Sequence, residues 1–377
     1  YNRKLALYRH SDWFQTQCLP IDTTELLTKN GWVKLSDISI GDEVASAHID
    51  DRSITFEKVL GVVEPYKSDT WYSRYLEATD DHRMMYSTQS RKKLGQNDVA
   101  DWGDVLKKAT KQTVYVPTSG SYKGSGLPLT DDQIRLLLAI QADGHYMYEN
   151  RKVINGERVR TDDRHYYGIE FHLKKDRKIN AINEILDNLD IEFNVNKKSD
   201  GSVSIRIYNK YLLSFANDWL DDKKLTYRWL ELSDEQFEVF YDSLLDWDGC
   251  RAGDDYSSYE KQNIDVVTAI MSLHNRGVVT NTDARIKFTG EHRSISPASE
   301  PKKRIQSKFV GCVTVSTGFI LIRQNGRTSI VGNCPGTLDL NRMRAEANKW
   351  ASGGYNPAPT PPKTAKLTWT TFAQSKT

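Results

Sequence analysis

Apolar and polar positions alternate in short runs over much of the first third of the chain. Between Cys18 and Val116 these runs are broken by turn residues, as in a strand-rich unit. The stretches 25–29 and 32–35 flank Asn30-Gly31, a pair that predicts a two-residue hairpin turn. Gly41-Asp42 precedes another short strand over 43–46. A stretch rich in Gly, Ser and Pro, 117–128, then marks a boundary. Beyond it the periods mix. Ile179, Ile182, Leu186 and Leu189 repeat at helical spacing, and Val203, Ile205 and Ile207 alternate as a strand behind Asp200-Gly201. A second boundary falls over 294–304, after which strand-like text runs from Phe309 to Val331 with a turn at Asn325-Gly326. The pattern predicts a β-rich unit split by a mixed α/β insert. Residues 1–17 are basic and aromatic, and the segment after Gly353 is a Pro-rich linker.

A length of 377 residues suits two or three domains. With 38% hydrophobic and 27% charged residues, the composition is that of a soluble globular protein rather than a disordered one. The 52 basic and 50 acidic residues leave a net charge of +2, so any nucleic-acid binding must come from local patches. No apolar run approaches the length that spans a bilayer. The chain opens at Tyr1 with no signal-peptide pattern, and the expectation is a fragment of a cytoplasmic, phage-encoded protein. Its four cysteines, Cys18, Cys250, Cys312 and Cys334, form neither a CxxC pair nor a small disulfide scaffold.

The junctions Gln17-Cys18 and Asn333-Cys334 carry a possible chemistry. A cysteine thiol can attack the carbonyl before it and turn the amide into a thioester. A second cysteine can take over the acyl group. An Asn before that cysteine can cyclise through its side-chain amide and cut the backbone. The freed amine then restores an amide. Each step is slow in an open chain, but holding the reacting atoms together supplies effective molarities on the order of 10^5–10^8 M. A thiol of unperturbed pKa about 8.5 needs only modest activation.

These residues resemble the intein family. Cys18-Leu-Pro-Ile-Asp-Thr followed by Leu35-Ser-Asp-Ile-Ser-Ile-Gly-Asp-Glu-Val44 looks like its N-terminal motif, and Thr79-Asp-Asp-His82 like its T-x-x-H motif. Val310-Gly-Cys-Val-Thr-Val315 and Thr328-Ser-Ile-Val-Gly-Asn333-Cys334 look like its two C-terminal motifs. The resemblance implies an all-β, horseshoe-like Hint splicing fold, with Thr79 and His82 activating the first peptide and Cys18, Cys312, Asn333 and Cys334 in the reaction. The chain departs from many members in having Gly332 where His precedes the terminal Asn, and Cys312 where Asp is common.

Within the insert, Leu136-Leu-Leu-Ala-Ile-Gln-Ala-Asp143-Gly144 and Tyr241-Asp-Ser-Leu-Leu-Asp-Trp-Asp248-Gly249 are related segments. Each reads as a helix ended by a glycine, and two such helices packed in a seam bring their terminal carboxylates together. Paired carboxylates call for a cation, and Mg²⁺ takes oxygen ligands and can activate water against a phosphodiester. The segments resemble the LAGLIDADG (DOD-type) homing endonucleases in single-chain form. That resemblance implies an α/β domain splitting the Hint fold, with Asp143 and Asp248 as Mg²⁺ ligands, Lys223 or Lys224 as the active-site lysine, and double-stranded DNA as partner of a monomer. Gln141, Tyr241 and Asp242 depart from the motif's small, apolar or acidic positions. Strands expected along DNA are 165–173, 202–208, 256–261 and 284–288, with an amphipathic helix over 264–273. Lys174, Lys175, Arg177, Lys197, Lys198 and Arg206 are candidate phosphate contacts.

Joining Gln17 to Cys334 would place His10 and Cys334 with seven residues between them, a spacing that lets both reach one Zn²⁺. The joined flank resembles the end of zinc-dependent N-acetylmuramoyl-L-alanine amidases. The expected partition is 1–17 N-extein, 18–117 Hint N-terminal part, 118–304 endonuclease, 305–333 Hint C-terminal part, and 334–377 C-extein. The exteins act in cis as splicing partners, and splicing itself requires no cofactor. Two alternatives stand beside splicing: a zinc amidase fragment with a non-excising insert, and a DNA endonuclease with a decayed splicing module.

Overall fold

The computed structural model describes residues 18–333 except 74–75, 89–97, 155–156, 283 and 297–302. These residues fall within one compact unit, Tyr1–Pro335; a second, Gly336–Thr377, lies wholly outside the described residues. The architecture is mixed α/β with several sheets. Among the described residues no helix is long and apolar enough to cross a membrane.

The chain opens on strands. Thr24–Thr28 pairs with Gly31–Lys34, and also with Phe319–Gln324 from near the end of the described chain. The hairpin predicted at Asn30-Gly31 is displaced by one residue. Thr28 pairs with Gly31, so Lys29 and Asn30 make the turn and Gly31 begins the second strand at φ 127°. A Cβ on Gly31 would lie 2.6 Å from the Tyr227 ring, so packing as well as backbone conformation holds glycine there. At Asn325-Gly326 the expectation holds. Gln324 pairs with Arg327, and the two turn residues take φ 50° and 69°, the type I′ geometry that suits twisted strands.

The long strand Lys303–Thr314 returns from the central segment and is paired on both sides. Leu19 and Pro20 lie opposite Gly311 and Val310, while Gly61–Tyr72 lies on the other edge with two register shifts. The strand leading into the central segment, Val114–Pro117, runs antiparallel to the one leading out, His292–Ile295. An insertion whose two ends are already neighbours costs little loop-closure entropy.

The Gly/Ser-rich stretch expected as a boundary is packed rather than solvated. Thr118 and Ser119 are fully buried, Ser121–Tyr122 pairs in parallel with Ser53–Ile54, and Gly120 donates its N–H to the Ser272 carbonyl at 3.0 Å. Small residues are needed because the chain threads between two elements. A Cβ on Gly120 would lie 2.3 Å from the Arg52 carbonyl oxygen.

In the central segment the helices Asp131–Asp143 and Asp234–Trp247 pack together through buried Ile134, Leu137, Leu138, Phe237, Phe240 and Leu244. Both begin with the same capping box. Thr130 and Gln133, and Ser233 and Gln236, exchange side-chain and backbone bonds, satisfying donors that would otherwise be orphaned. The glycines at their ends do not take the left-handed conformation common at helix ends. Gly144 is extended at φ −68°, and its absent Cβ would lie 2.7 Å from the Ile140 Cα. Gly249 likewise leaves 2.6 Å to the Leu245 Cα, so close approach to the helix end is what requires glycine.

The helix Asp176–Asn188 and the strand Val203–Ile207 lie where the periods place them. The strand expected over 256–261 stops at Ser257, because Lys261 already begins the helix Lys261–Leu273, three residues earlier than expected. Glu157–Leu173 covers the strand expected at 165–173, and Arg285–Thr289 that at 284–288.

One sheet crosses the expected domain boundary. Arg327–Gly332 pairs with Phe319–Gln324 on one side and meets the Gly277–Thr282 strand on the other at Val279–Arg327. Thr328 Oγ1 also accepts the Val278 N–H at 3.0 Å. Near this seam, buried Arg323 donates to Glu25 at 2.7 Å and to Asp265 of the helix Lys261–Leu273, whose carbonyl accepts the Trp32 indole N–H at 3.1 Å. A buried guanidinium is tolerable only with such partners.

Candidate functional site

Two centres emerge. The first lies where the strands around Leu19–Pro20 and Lys303–Thr314 meet the turn Thr79–His82. The Cys18 N–H donates to Thr79 Oγ1 at 3.1 Å, and the Thr79 N–H donates back to the Cys18 carbonyl at 3.0 Å. Thr79 thus grips the nitrogen of the Gln17–Cys18 peptide. The His82 N–H donates to the Thr79 carbonyl at 3.1 Å, and its own carbonyl accepts the Trp102 N–H at 2.7 Å. Cys18, Thr79, His82 and Cys312 are all at most 3% exposed. The pairing Leu19–Gly311 continues in register towards Cys18 and Cys312, which share a small apolar cluster with Val310.

The strand Arg327–Gly332 delivers Asn333 to the same neighbourhood. The Asn333 side chain donates from Nδ2 to the Val315 carbonyl at 2.7 Å and accepts at Oδ1 from Arg83 Nη2 at 3.4 Å. A chain of hydrogen bonds and covalent neighbours therefore runs from Cys18 through Thr79, His82 and Arg83 to Asn333. Cys334 and His10 lie outside the described residues.

The second centre lies at the ends of the two packed helices. Asp143 is the last residue of its helix, and Asp248 caps the other. Burial pushes the Asp248 carboxyl up to about 6, the Asp143 charge adds to the rise, and Lys178 and Lys223 oppose it. Lys178, on the first turn of the helix Asp176–Asn188, pairs with Asp143 and lies over the Trp247 ring at 5.2 Å. Burial also lowers the Lys223 ammonium pKa, against the pull of Asp248 and Asp143.

Lys223 sits at the tip of a hairpin between Leu220–Asp221 and Lys224–Leu225. Asp222 and Lys223 both take positive φ, 45° and 66°. Left-handed backbone at side-chain-bearing residues costs about 1–3 kcal/mol each and persists where surrounding structure imposes it. Of the two lysines the sequence offered, Lys223 is the one coupled to both carboxylates, while Lys224 belongs to the adjoining strand. Among the described residues no three His, Cys, Asp or Glu side chains gather as a metal cluster; Asp143 and Asp248, which feel each other's charge, are the two carboxylate donors here, a number Mg²⁺ accepts when water and phosphate oxygens fill the rest of its shell.

No family model matches the chain. A curated relative, the ribonucleoside-diphosphate reductase subunit beta of Aquifex aeolicus, is 24% identical over 381 residues, covering 86% of this chain and 52% of that protein. The chain thus spans about half the length of that relative. Because 1–17 and 334–377 are a small part of the sequence, most of the match falls on 18–333. Among solved structures, I-DmoI in complex with DNA and Mn is 13% identical, covering 42% of this chain and 89% of that one, with a TM-score of 0.30. I-DmoI in complex with DNA and Ca is 14% identical, covering 42% and 83%, with a TM-score of 0.31. Likenesses this distant decide neither fold nor activity.

The candidate DNA contacts divide into two groups. Lys174, Lys175 and Lys197 are exposed, as is Lys198, which lies 3.1 Å from the His172 ring. Arg177 and Arg206 are engaged within the protein. Arg177 donates to the Asp246 carbonyl, and Arg206 Nε donates to Glu170 at 2.6 Å. Their donors are drawn to nearby acceptors, leaving less to offer a phosphate. The residues that departed from the second motif are also placed. The Tyr241 hydroxyl donates to Asp254 with Arg276 stacked on its ring, and Asp242 accepts from Arg251 at 2.9 Å.

Lys178 and Arg83 were missed by sequence reasoning. Lys178 closes the basic run that begins at Lys174, with nothing in its spacing to set it apart, and Arg83 simply follows His82.

A pH effect follows from Asp248. A carboxyl raised by burial favours the neutral form, so its contribution to stability is complete below its unfolded pKa of about 3.9 and is lost as pH rises through about 6. A divalent ion competes for the ionised form. We therefore expect Mg²⁺ to raise the melting temperature more at pH 7.5 than at pH 5. Calorimetry at both values checks this; an equal shift at pH 5 would remove the acid pair from the metal site.

Proposed function

We propose that residues 18–333 are a self-excising protein-splicing unit of the intein type, Hint-like at its two ends, carrying a LAGLIDADG-type, divalent-metal-dependent DNA endonuclease in its middle. The observation that carries the splicing reading is the reciprocal pair of bonds between Cys18 and Thr79, with Asn333 attached through Arg83. In this reading Thr79 and His82 act on the first peptide. The Cys18 thiol attacks the Gln17 carbonyl, releasing the Cys18 nitrogen that Thr79 holds. Cys334 takes the acyl group, and Asn333 cyclises. Cys312, buried beside Cys18, shapes the thiol's surroundings.

In the endonuclease reading Asp143 and Asp248 would hold Mg²⁺, which when bound supplies an activated water and a counter-charge for the phosphodiester. Lys223 and Lys178 keep positive charge at the acid pair and stabilise negative charge developing on phosphate oxygens. Exposed lysines at 174, 175, 197 and 198 contact the backbone of double-stranded DNA. For the flanks we infer an amidase fragment in which His10 and Cys334 hold Zn²⁺ after joining. A reductase reading rests on the name of one relative alone.

The test is cleavage by an added thiol. Dithiothreitol should release a peptide ending at Gln17, because a thioester there is open to attack. A chain with Cys18→Ala should release none. Equal release from both chains would contradict the assigned role of Cys18.

A further inference from the structure

The strands Gly144–Ile154, Glu157–Leu173, Val203–Ile207 and Asn194–Lys197 form one antiparallel sheet in that order. Its two faces differ. Ile169, Phe171 and Leu173 lie opposite Ile207, Ile205 and Val203, and all are in the core. The alternate positions face the other way. There Glu170 pairs with Arg206 and His172 with Ser204. His145 stands beyond Glu170 on one edge and Asn194 beyond Arg206 on the other, both exposed. His145 follows Asp143 by two residues, so this polar face begins beside the acid pair. At its middle lies one carboxylate. The Glu170 side chain is only 10% exposed, and three side chains close on it. Ser204 Oγ and Arg206 Nε both donate to Oε1 at 2.6 Å, and His172 Nε2 lies 3.0 Å from Oε2. Burial works against the Glu170 charge, but the bonds from Ser204 and Arg206 prevail and hold the carboxyl below its usual range. Arg206 is paired without being covered, its side chain staying 41% exposed. Glu170 takes Nε and the Tyr208 hydroxyl takes another donor, and a guanidinium has further N–H groups to offer.

We propose that Arg206 is a specificity-determining residue that reads one guanine in double-stranded DNA, with Glu170 as its positioning residue. The inference rests on the endonuclease reading and replaces the phosphate contact expected of Arg206. A guanine presents two acceptors, N7 and O6, side by side in the major groove, and a fixed guanidinium matches both at once. A phosphate contact needs only positive charge, which Lys174, Lys175, Lys197 and Lys198 offer from one end of the sheet. Arg206 instead stands within the sheet, over a carboxylate that cancels its charge and fixes its plane. Such pairing removes most of the gain from releasing counterions and keeps the direction of the donors, which is what base reading uses. It also orders a long side chain before DNA arrives, lowering the entropic cost of binding. Ser204, fully buried beneath the pair, and His172 hold Glu170 from its other sides, and Lys198 donates to the far His172 nitrogen at 3.1 Å.

The experiment binds the full chain to a randomised pool of duplex DNA without Mg²⁺, sequences what is retained, and measures affinity against salt on the selected duplex. The parent should fix a guanine. Changing Glu170→Gln and Arg206→Gln together keeps the net charge. That double change should lower the preference for the guanine roughly 5- to 150-fold and leave the other positions and the salt slope as they are. Arg206→Lys should lose the same preference, because one ammonium does not match two acceptors, whereas a purely structural ion pair would tolerate lysine. It keeps the ion pair, so it remains informative should the double change unfold the sheet. Glu170→Gln alone should weaken the preference and steepen the salt slope by about 0.9, the charge then being free to reach a phosphate. Uniform weakening on every sequence, with a slope shallower by about 0.9 in the double change, makes Arg206 a phosphate contact and overturns the proposal. A parent that binds duplex without fixing a guanine overturns it, as does a guanine preference that survives in Arg206→Lys. A parent that retains no duplex DNA is a different failure: it removes the endonuclease reading itself.

Discussion

Asn333→Ala abolishes release of the C-terminal flank and leaves the first junction reactive. The Asn333 amide is held at both ends beside the scissile peptide, and alanine brings no nucleophile in its place. Amide hydrolysis without one lies far below any measurable rate on the hour scale. The Cys18–Thr79 contacts do not involve the Asn333 side chain, so dithiothreitol should still free the peptide ending at Gln17. The expected products are that peptide and a chain running from Cys18 to Thr377. Normal release of the C-terminal flank would show that another group cuts there.

Asp248→Asn abolishes DNA cutting, spares splicing and stabilises the metal-free protein. If Asp143 and Asp248 hold the metal as proposed, losing one of them removes half of its protein donors, and cutting should fall by at least on the order of 10^2–10^3, the scale for removing one stabilising group. Metal-free stability should rise near pH 7.5, because the wild-type carboxyl is raised to about 6 by burial and by Asp143, and an amide carries no charge to desolvate. The excision rate should stay at the wild-type value, since Asp248 belongs to the other centre. The pattern is read from a nicking assay with Mg²⁺, a melting curve and a splicing time course. Loss of splicing together with cutting would mean that the two centres are not separable, and the strand Arg327–Gly332, shared by both halves of the long sheet, would be the route.

Much of this was legible in the sequence, for physical reasons that differ by element. The type I′ turn at Asn325-Gly326 is dictated locally, since few other residues accept two positive φ values in succession. The packed helices announce themselves through apolar spacing and twin terminal acids. The shift at Lys29–Asn30 was invisible, because Gly31 lies against the Tyr227 ring, nearly two hundred residues away along the chain. The packed course of 117–122 was hidden for the same reason, composition being blind to what a glycine lies against. Lys223 could be told from Lys224 only once the hairpin tip was seen beside the acids, and Lys178 only once its helix was seen against Asp143. Arg177 and Arg206, candidates for phosphate contact, also meet internal acceptors that the sequence does not place nearby.

The central claim is that two distant junctions react at one point. Its most direct measurement is the intact mass of the purified chain during incubation at neutral pH. The full-length species should disappear as two masses rise: the excised segment from Cys18 to Asn333, and a flank product in which Gln17 is bonded to Cys334. A full-length mass that persists unchanged, with no thioester captured by added thiol, would contradict it.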